Sequence, residues 1–309
     1  MLKKIHISVG DLNGISAELL LTNHNKLLKI CQPFYHTSLT MLSQASQLLN
    51  IPLPNNLSVV PIKDVYKITP AKTTIKSGYH SFCSFESAVN NTLIDKNSSL
   101  LTMPISKKSW DMANIKYLGH TDYFRQNIDE NVVMMLGCDK HYVMLYSDHI
   151  PLRQVPTTIN EFGLIDFLYK LASYLKEKTN QIKVLGINPH AGEEGLIGDE
   201  DLVIKKAIKK VNQKIENNMF SGPFPADSYF YLAQQNSITN YTVAIYHDQG
   251  LIGVKTLYFD QSIQVSLGLP FLRTSPDHGP AFDIAYKNNK DKSSILATSY
   301  LNAINYLVC

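Results

Sequence analysis

The chain has 309 residues, of which 44% are hydrophobic and 18% are charged, as is usual for a globular protein with a sizeable core. The 29 basic and 26 acidic residues leave a net charge of +3, a basic surplus too small to indicate a nucleic-acid-binding protein. No run of about 18 apolar residues occurs, so we expect no membrane span. The start of the chain alternates apolar and polar residues, so we interpret it as a first strand and not as a secretory leader. Four cysteines without a CxxC pair favour free thiols and a cytoplasmic location: Cys31, Cys83, Cys138 and Cys309.

Strand-like and helix-like segments alternate along the chain. Helical spacing of apolar residues predicts helices over 18–28 (with Ser16 as its N-cap), 85–93, 159–177, 199–215 and 293–308. Short apolar runs predict strands over 1–9, 57–60, 100–103, 143–146, 183–187 and 242–246, and further strand-like segments around Lys255 and from Gln264. This alternation predicts an α/β fold with a largely parallel sheet.

Three histidines, His149, His190 and His247, directly follow strand-like runs and lie in loops of polar or turn-forming residues. Ligands of open α/β sheets bind outside the carboxyl ends of the strands, so three imidazoles there can converge on one metal ion. Three protein ligands with one open position are typical of a catalytic metal site. The alternative is that each histidine is an ordinary hydrogen-bonded loop side chain. Asp248, beside His247, is expected to serve another histidine or the local turn, because adjacent side chains rarely face each other.

Two further motifs suggest anion binding. Gly119, His120 and Thr121 precede a helix-like segment and offer backbone N–H groups, an imidazole and a hydroxyl, although Thr121 as a simple N-cap is an equal alternative. Arg273 follows a Gly-Leu-Pro turn and has the fork geometry that holds a phosphate or carboxylate.

Lys255 lies in a strand-like segment, where it either faces a site or extends into water from an edge strand. No GxGxxG motif or P-loop follows any strand, which argues against a standard dinucleotide fold and a P-loop ATPase.

These motifs resemble the 4-hydroxythreonine-4-phosphate dehydrogenase family of pyridoxal phosphate biosynthesis, in order and over nearly the whole chain. The motifs are Gly10-Asp11…Gly14…Glu18, Gly119-His120-Thr121, Asn188-Pro189-His190-Ala191-Gly192-Glu193, Gly222-Pro223…Pro225-Ala226-Asp227, Tyr246-His247-Asp248-Gln249-Gly250 and Leu267-Gly268-Leu269-Pro270-Phe271…Arg273-Thr274-Ser275…Asp277-His278-Gly279. The chain departs from the family at Gln264, where the family usually has asparagine, and in the first motif at Leu12 and Ser16-Ala17.

The resemblance implies a fold like that of isocitrate and isopropylmalate dehydrogenases, with two α/β/α lobes around a central cleft. We expect residues 1–115 and 265–309 to form the first lobe, and 116–264 to form the second lobe with a dimer interface. The resemblance also implies a homodimer with its active site at the subunit interface and no nucleic-acid or membrane partner.

The resemblance assigns site residues as well. The family's metal ligands correspond to His149, His190 and His247, the last of them expected from the partner subunit. Its substrate contacts correspond to His120, Thr121, Lys255, Gln264 and Arg273, with Lys255 also taken as catalytic.

The implied reaction oxidises the secondary alcohol of 4-phosphohydroxy-L-threonine with NAD or NADP. The product, 2-amino-3-oxo-4-phosphooxybutanoate, decarboxylates to 3-amino-2-oxopropyl phosphate. One divalent metal per site (zinc, cobalt, nickel or magnesium) would lower the pKa of the alcohol, and imidazole ligands suit the first three better than magnesium. The alternatives are oxidation of another phosphorylated four-carbon acid, such as 4-phosphothreonate or 4-phosphoerythronate, a phosphate acyltransferase-like enzyme, and a non-enzymatic metal- or phosphate-binding protein.

Overall fold

The computed structural model describes residues 2–235, 240–287 and 290–308. The chain divides into two compact units: unit 1 comprises Met1–Val132 and Ile263–Cys309, and unit 2 comprises Val133–Ser262. The first lobe was predicted to end at residue 115, whereas unit 1 continues to Val132 and therefore includes the segment 116–132. This segment carries His120 and Thr121, which therefore belong to the same unit as Gln264 and Arg273.

The helices and strands alternate along the chain, which confirms the predicted α/β fold. The first segment of unit 1 contains β1 (Lys3–Ser8), α1 (Ser16–Leu27), β2 (Cys31–His36), α2 (Leu39–Leu49), β3 (Ser58–Val60), α3 (Ile75–Ile94), β4 (Ser98–Thr102), α4 (Lys107–Met112) and α5 (His120–Asn127). Unit 2 contains β5 (Val133–Cys138), β6 (His141–Leu145), α6 (Val155–Thr158), α7 (Glu161–Leu175), β7 (Ile182–Leu185), α8 (Glu200–Lys214), β8 (Phe220–Phe224), α9 (Ala226–Ala233), β9 (Asn240–Ala244) and α10 (His247–Tyr258). The chain then returns to unit 1 with β10 (Ile263–Leu267), β11 (Arg273–Pro276) and α11 (Lys290–Val308).

The strands of unit 1 follow the order β3-β2-β1-β4-β11-β10. All neighbours are parallel except β10, which runs antiparallel to β11. The residues of β4 are all buried, because helices cover both faces of a parallel sheet. An aromatic cluster that includes Phe85, Trp110 and Phe124 packs α3, α4 and α5 together. This cluster fixes the start of α5, where His120 lies.

In unit 2 the strand order is β5-β6-β9-β7-β8. The β5–β6 pair is antiparallel, and the other neighbouring strands are parallel. The parallel strands β6, β9 and β7 are adjacent, so their carboxyl ends meet at one edge of the sheet. These ends lead to His149, His247 and His190 respectively. The sheet of unit 2 therefore presents all three predicted metal ligands from one edge.

Two helix predictions need correction at their starts. Ser16 is not an N-cap: Ile15 occupies that position without a side-chain cap, and the Ser16 hydroxyl lies 3.5 Å from the Pro104 carbonyl. α3 begins at Ile75 and not at Phe85, and Thr74 caps it by accepting from the Ser77 backbone N–H. The first turns of α3 bury small and polar side chains, so no apolar periodicity marks them in the sequence.

The segment around Lys255 is helix α10, so its prediction as a strand was wrong. Leu251 and Val254, three positions apart, are buried, whereas Ile252 is exposed. This is the spacing of one helical face, which a short apolar run does not distinguish from a strand.

Two bulk expectations can be compared with the structure. No helix of the described residues is long and apolar enough to cross a membrane. Cys31, Cys83 and Cys138 are free thiols, and Cys309 lies outside the described residues.

Candidate functional site

Arg273, the first residue of β11, is a buried cation in unit 1. The residue is 1% exposed, and its guanidinium donates to the hydroxyls of Ser266 (3.1 Å) and Thr102 (2.5 Å). The Phe124 ring lies 5.5 Å from its Cζ atom. No carboxylate pairs with it in the described part of the chain, and its Nε has no hydrogen-bond partner there. Burial lowers the pKa of Arg273 to about 9, because the charged form is removed from water.

His120, at the start of α5, continues this polar group. Its Nδ1 accepts from Nη2 of Arg273 at 3.2 Å, so the neutral ring carries its proton on Nε2. Burial and the charges of Arg273 and Lys107 hold the pKa of His120 well below its usual range. Nε2 is buried and has no partner among the described residues. This combination of a buried donor and a buried cation, neither paired with a carboxylate of the described residues, is suited to binding an anion.

Thr121 and Gln264 lie in the same unit and contact each other. Gln264 donates from Nε2 to the Thr121 hydroxyl at 3.1 Å. The Ser275 hydroxyl in turn donates to Oε1 of Gln264 at 3.4 Å. Gly119, and not Thr121, is the N-cap of α5, and it provides no side-chain cap. The structure thus brings together four of the predicted substrate contacts: His120, Thr121, Gln264 and Arg273.

His149 and His247 are neighbours in unit 2. Their ring centroids are 5.7 Å apart, and both line a cavity of about 230 Å³ with Tyr246 and Ile150. The His149 side chain is 51% exposed and the His247 side chain 38% exposed, so both rings can reach a ligand. Within one chain His247 therefore lies next to His149, and its expected contribution to the site of the partner subunit stays a prediction.

Each of these two histidines has a carboxylate near its Nδ1 atom. Asp248 lies 2.7 Å from Nδ1 of His247, and Asp148 lies 3.4 Å from Nδ1 of His149. The expectation that Asp248 serves another group was therefore wrong. Imidazoles that ligate metals usually donate their second nitrogen to such an acceptor, which leaves Nε2 to bind the ion. The two side chains fit a divalent metal by this chemistry.

His190 lies in a loop between β7 and α8, is exposed and has a left-handed backbone with a φ of 53°. His149 also has a positive φ, of 44°. Non-glycine residues rarely adopt this conformation, and such positions concentrate at functional sites. Within the described residues, no three histidine, cysteine or acidic side chains of one chain form a group that could hold a metal. The structure therefore brings together two of the three predicted ligands.

Comparison with known proteins decides the family. The model of the family described as pyridoxal phosphate biosynthetic protein PdxA matches residues 15–304. The chain belongs to the PdxA family. A 4-hydroxythreonine-4-phosphate dehydrogenase of Sulfurimonas denitrificans is 42% identical to it over 301 residues, 97% of this chain and 95% of the relative. The enzyme of that name from Helicobacter pylori is 43% identical over 311 residues, 99% of each chain.

A solved structure agrees with this assignment. The crystal structure of 4-hydroxythreonine-4-phosphate dehydrogenase from Klebsiella pneumoniae matches with a TM-score of 0.82 and 28% identity, covering 99% of both chains. Membership of the PdxA family confirms the resemblance inferred from the motifs, and with it the prediction that the chain is an enzyme.

Lys255, the remaining predicted site residue of this PdxA family member, lies on α10 in unit 2. It is partly buried, and its Nζ is 5.9 Å from the centroid of the Phe259 ring. The helix that carries it begins at His247, so one rigid element holds both residues about two turns apart.

Sequence reasoning missed the residues that hold the site residues of this PdxA chain in place. Thr102 and Ser266 bind Arg273, and Asp148 stands behind His149. Two of them had a sequence signal, since Thr102 lies one residue before the end of a predicted strand and Asp148 precedes a candidate ligand. Ser266 had none, because a serine in a strand carries no distinctive pattern.

Proposed function

We propose that this chain oxidises the secondary alcohol of 4-phosphohydroxy-L-threonine with NAD or NADP, as the names of its relatives suggest. The product, 2-amino-3-oxo-4-phosphooxybutanoate, then decarboxylates to 3-amino-2-oxopropyl phosphate in pyridoxal phosphate biosynthesis. The observation that carries the proposal is the buried Arg273, whose polar partners among the described residues are all neutral, beside the Nε2 donor of His120, which has no partner among those residues. A doubly charged phosphate would provide a counter-ion for Arg273 and an acceptor for Nε2 of His120.

We propose a role for each of the four residues that form the suggested anion pocket: Thr102, His120, Ser266 and Arg273. Arg273 and His120 donate to an anionic oxygen, while Thr102 and Ser266 hold the guanidinium in one orientation. His120 donates as a neutral ring, because its lowered pKa keeps it uncharged at neutral pH. The Gln264–Thr121 contact places a hydroxyl and an amide in the same unit for the polar groups of the substrate. We propose that Lys255 makes a further substrate contact and takes part in proton transfer.

His149, His190 and His247 would hold one divalent ion, with zinc, cobalt or nickel favoured over magnesium by their imidazole ligands. Such an ion, when bound, lowers the pKa of an alcohol and stabilises the negative charge that develops on its oxygen. Asp148 and Asp248 keep the Nε2 atoms of their histidines available for it. We also propose a homodimer with its active site at the subunit interface and a cytoplasmic location.

A substrate panel tests the reaction. Purified enzyme loaded with zinc or cobalt is mixed with NAD or NADP and with 4-phosphohydroxy-L-threonine, 4-phosphothreonate or 4-phosphoerythronate, and reduced nicotinamide is followed by absorbance. We expect the highest kcat/KM with 4-phosphohydroxy-L-threonine. A clear preference for an acid that lacks the amino group would replace the proposed substrate, and no reduced nicotinamide with any acid would refute dehydrogenase activity.

Metal analysis tests the ligand set separately. Replacing His149, His190 or His247 by alanine should lower the bound metal per chain and remove most activity. Full metal content in all three variants would place the ion elsewhere.

A further inference from the structure

The loop that carries His190 is one turn of left-handed helix. Five consecutive residues, His190 to Glu194, have φ values of 53°, 53°, 77°, 41° and 57°. Only Gly192 among them is a glycine. Each L-residue in this conformation is strained, because its Cβ approaches the following carbonyl oxygen. Such a turn persists only where the surrounding structure holds it.

Asp201, in the first turn of α8, stabilises the left-handed turn through hydrogen bonds. Its side chain is buried, with a residue exposure of 2%, and both carboxylate oxygens accept hydrogen bonds from the start of the loop. Oδ1 accepts from the Ile187 backbone N–H at 2.9 Å, and Oδ2 accepts from the backbone N–H and the Nδ2 of Asn188 at 3.1 and 2.9 Å. These donors lie two and three residues before His190, at the point where β7 gives way to the left-handed turn.

Close packing adds a second constraint on the same carboxylate. A Cβ atom built on Gly186 would lie 2.5 Å from Oδ1 of Asp201, and one on Gly192 would lie 3.1 Å from Oδ2. Both glycines therefore permit the carboxylate to sit against the backbone on either side of the turn. Asp201 thus lies against the loop both before His190, at residues 186–188, and after it, at Gly192.

We propose that Asp201 is a positioning residue, which fixes the left-handed turn 190–194 so that His190 is presented in a single orientation to its metal. This rests on the proposed function, in which His190 is a ligand. The neighbouring Glu200 provides a matched comparison, because its carboxylate also accepts from Nδ2 of Asn188, at 2.8 Å, but is less buried than that of Asp201.

The test compares Asp201→Asn with Glu200→Gln in the full-length chain. Both changes replace a carboxylate by its isosteric amide. Asp201→Asn turns one acceptor into an NH₂ group that faces N–H donors, whereas Glu200→Gln keeps an oxygen for Asn188. Hydrogen–deuterium exchange of the metal-free chains reports the order of residues 188–195. Titration of the metal-stripped chains with cobalt(II), followed by the visible absorption of the bound ion, reports the site.

We expect Asp201→Asn to speed exchange in 188–195 and to weaken cobalt binding by roughly tenfold to a hundredfold, the usual range for residues that orient metal ligands. Its bound-cobalt spectrum should also change, which a merely structural loss would not produce in the folded fraction. Glu200→Gln should match the wild type in both measurements within about twofold. Unchanged exchange, or faster exchange with unchanged cobalt affinity and spectrum, would overturn the proposal.

Two further comparisons distinguish failure of this proposal from failure of a variant to fold and from failure of the proposed metal function. If Asp201→Asn does not fold, Asn188→Ala removes the Nδ2 donor without altering a buried charge, and it should show the same effects at reduced size. If the wild-type chain itself binds no cobalt, the proposed metal function fails, while the exchange data still show whether Asp201 orders the turn.

Discussion

At the scale of single residues, Arg273 shows what the sequence did and did not contain. Its side-chain chemistry and its position after a Gly-Leu-Pro turn predicted an anion contact. Its complete burial among hydroxyls and an aromatic ring depended on β4, β10 and α5, which come from distant parts of the chain. Long-range packing of this kind leaves no local pattern, so the partners of Arg273 could not be predicted.

We therefore expect Arg273→Lys to impair the enzyme even though the charge is kept. An ammonium group cannot contact Thr102, Ser266 and a bound anion with the geometry of a planar fork. KM for the phosphorylated substrate should rise roughly tenfold or more, since hydrogen bonds to charged groups contribute about 1.5–3 kcal/mol each. Steady-state kinetics measures this, with the exposed Arg153→Lys as the matched control. A KM equal to that of the wild type would assign Arg273 a purely structural role.

At the scale of secondary structure, the sequence predicted elements with an apolar stripe and missed those without one. β1, α7, α8 and the terminal helix carry clear patterns and lie close to their predicted positions. The first half of α3 and the left-handed turn do not, since the former buries serines and the latter depends on Asp201. Similarly, α10 was mistaken for a strand because its few apolar residues fit both periods.

The left-handed turn predicts that one substitution in it will stabilise the protein. The position is Glu193, which is exposed and has a φ of 41°. Glu193→Gly should raise the free energy of unfolding by about 1 kcal/mol, since glycine adopts this conformation without a Cβ clash. Glu193→Ala keeps the Cβ and should give no such gain. Urea denaturation of the metal-free variants compares the three chains. Equal or lower stability of the glycine variant would argue against a left-handed backbone at this position.

At the scale of the whole molecule, buried histidines make the fold sensitive to acid. Burial lowers the pKa of His36 to about 3 and those of His80 and His141 to about 4. Each ring is neutral in the folded chain and gains its proton more readily when unfolded. Their contribution to stability is therefore complete above pH 6.5, the ordinary value, and is lost as the pH falls toward 4.

His141 isolates one such contribution. Its Nε2 donates to the Thr242 hydroxyl at 2.8 Å, which itself donates to Tyr229, and its ring stacks on Phe230. His141→Gln should flatten the loss of unfolding free energy between pH 6 and 4.5 by about 1.4 kcal/mol per pH unit. Denaturation in metal-free buffer at several pH values measures this slope. An unaltered slope in His141→Gln would show that His141 does not govern the acid response.

The proposed dimer yields the last prediction, because the adjacency of His149 and His247 within one chain determines how inactive variants can complement each other. If both rings serve the same metal from the same subunit, a heterodimer of His149→Ala and His247→Ala has one damaged ligand in each site. Co-expression of these two variants should therefore restore no activity. If the two histidines came from different subunits, one site of each heterodimer would be intact, and statistical pairing would return roughly a quarter of wild-type activity.

Differently tagged chains, purified in two affinity steps, provide heterodimers free of homodimers. A wild-type/His149→Ala heterodimer serves as the control, because it shows whether a single intact site is active. Recovery in the double-variant heterodimer would mean that the pair seen in one chain is not the pair that binds the metal.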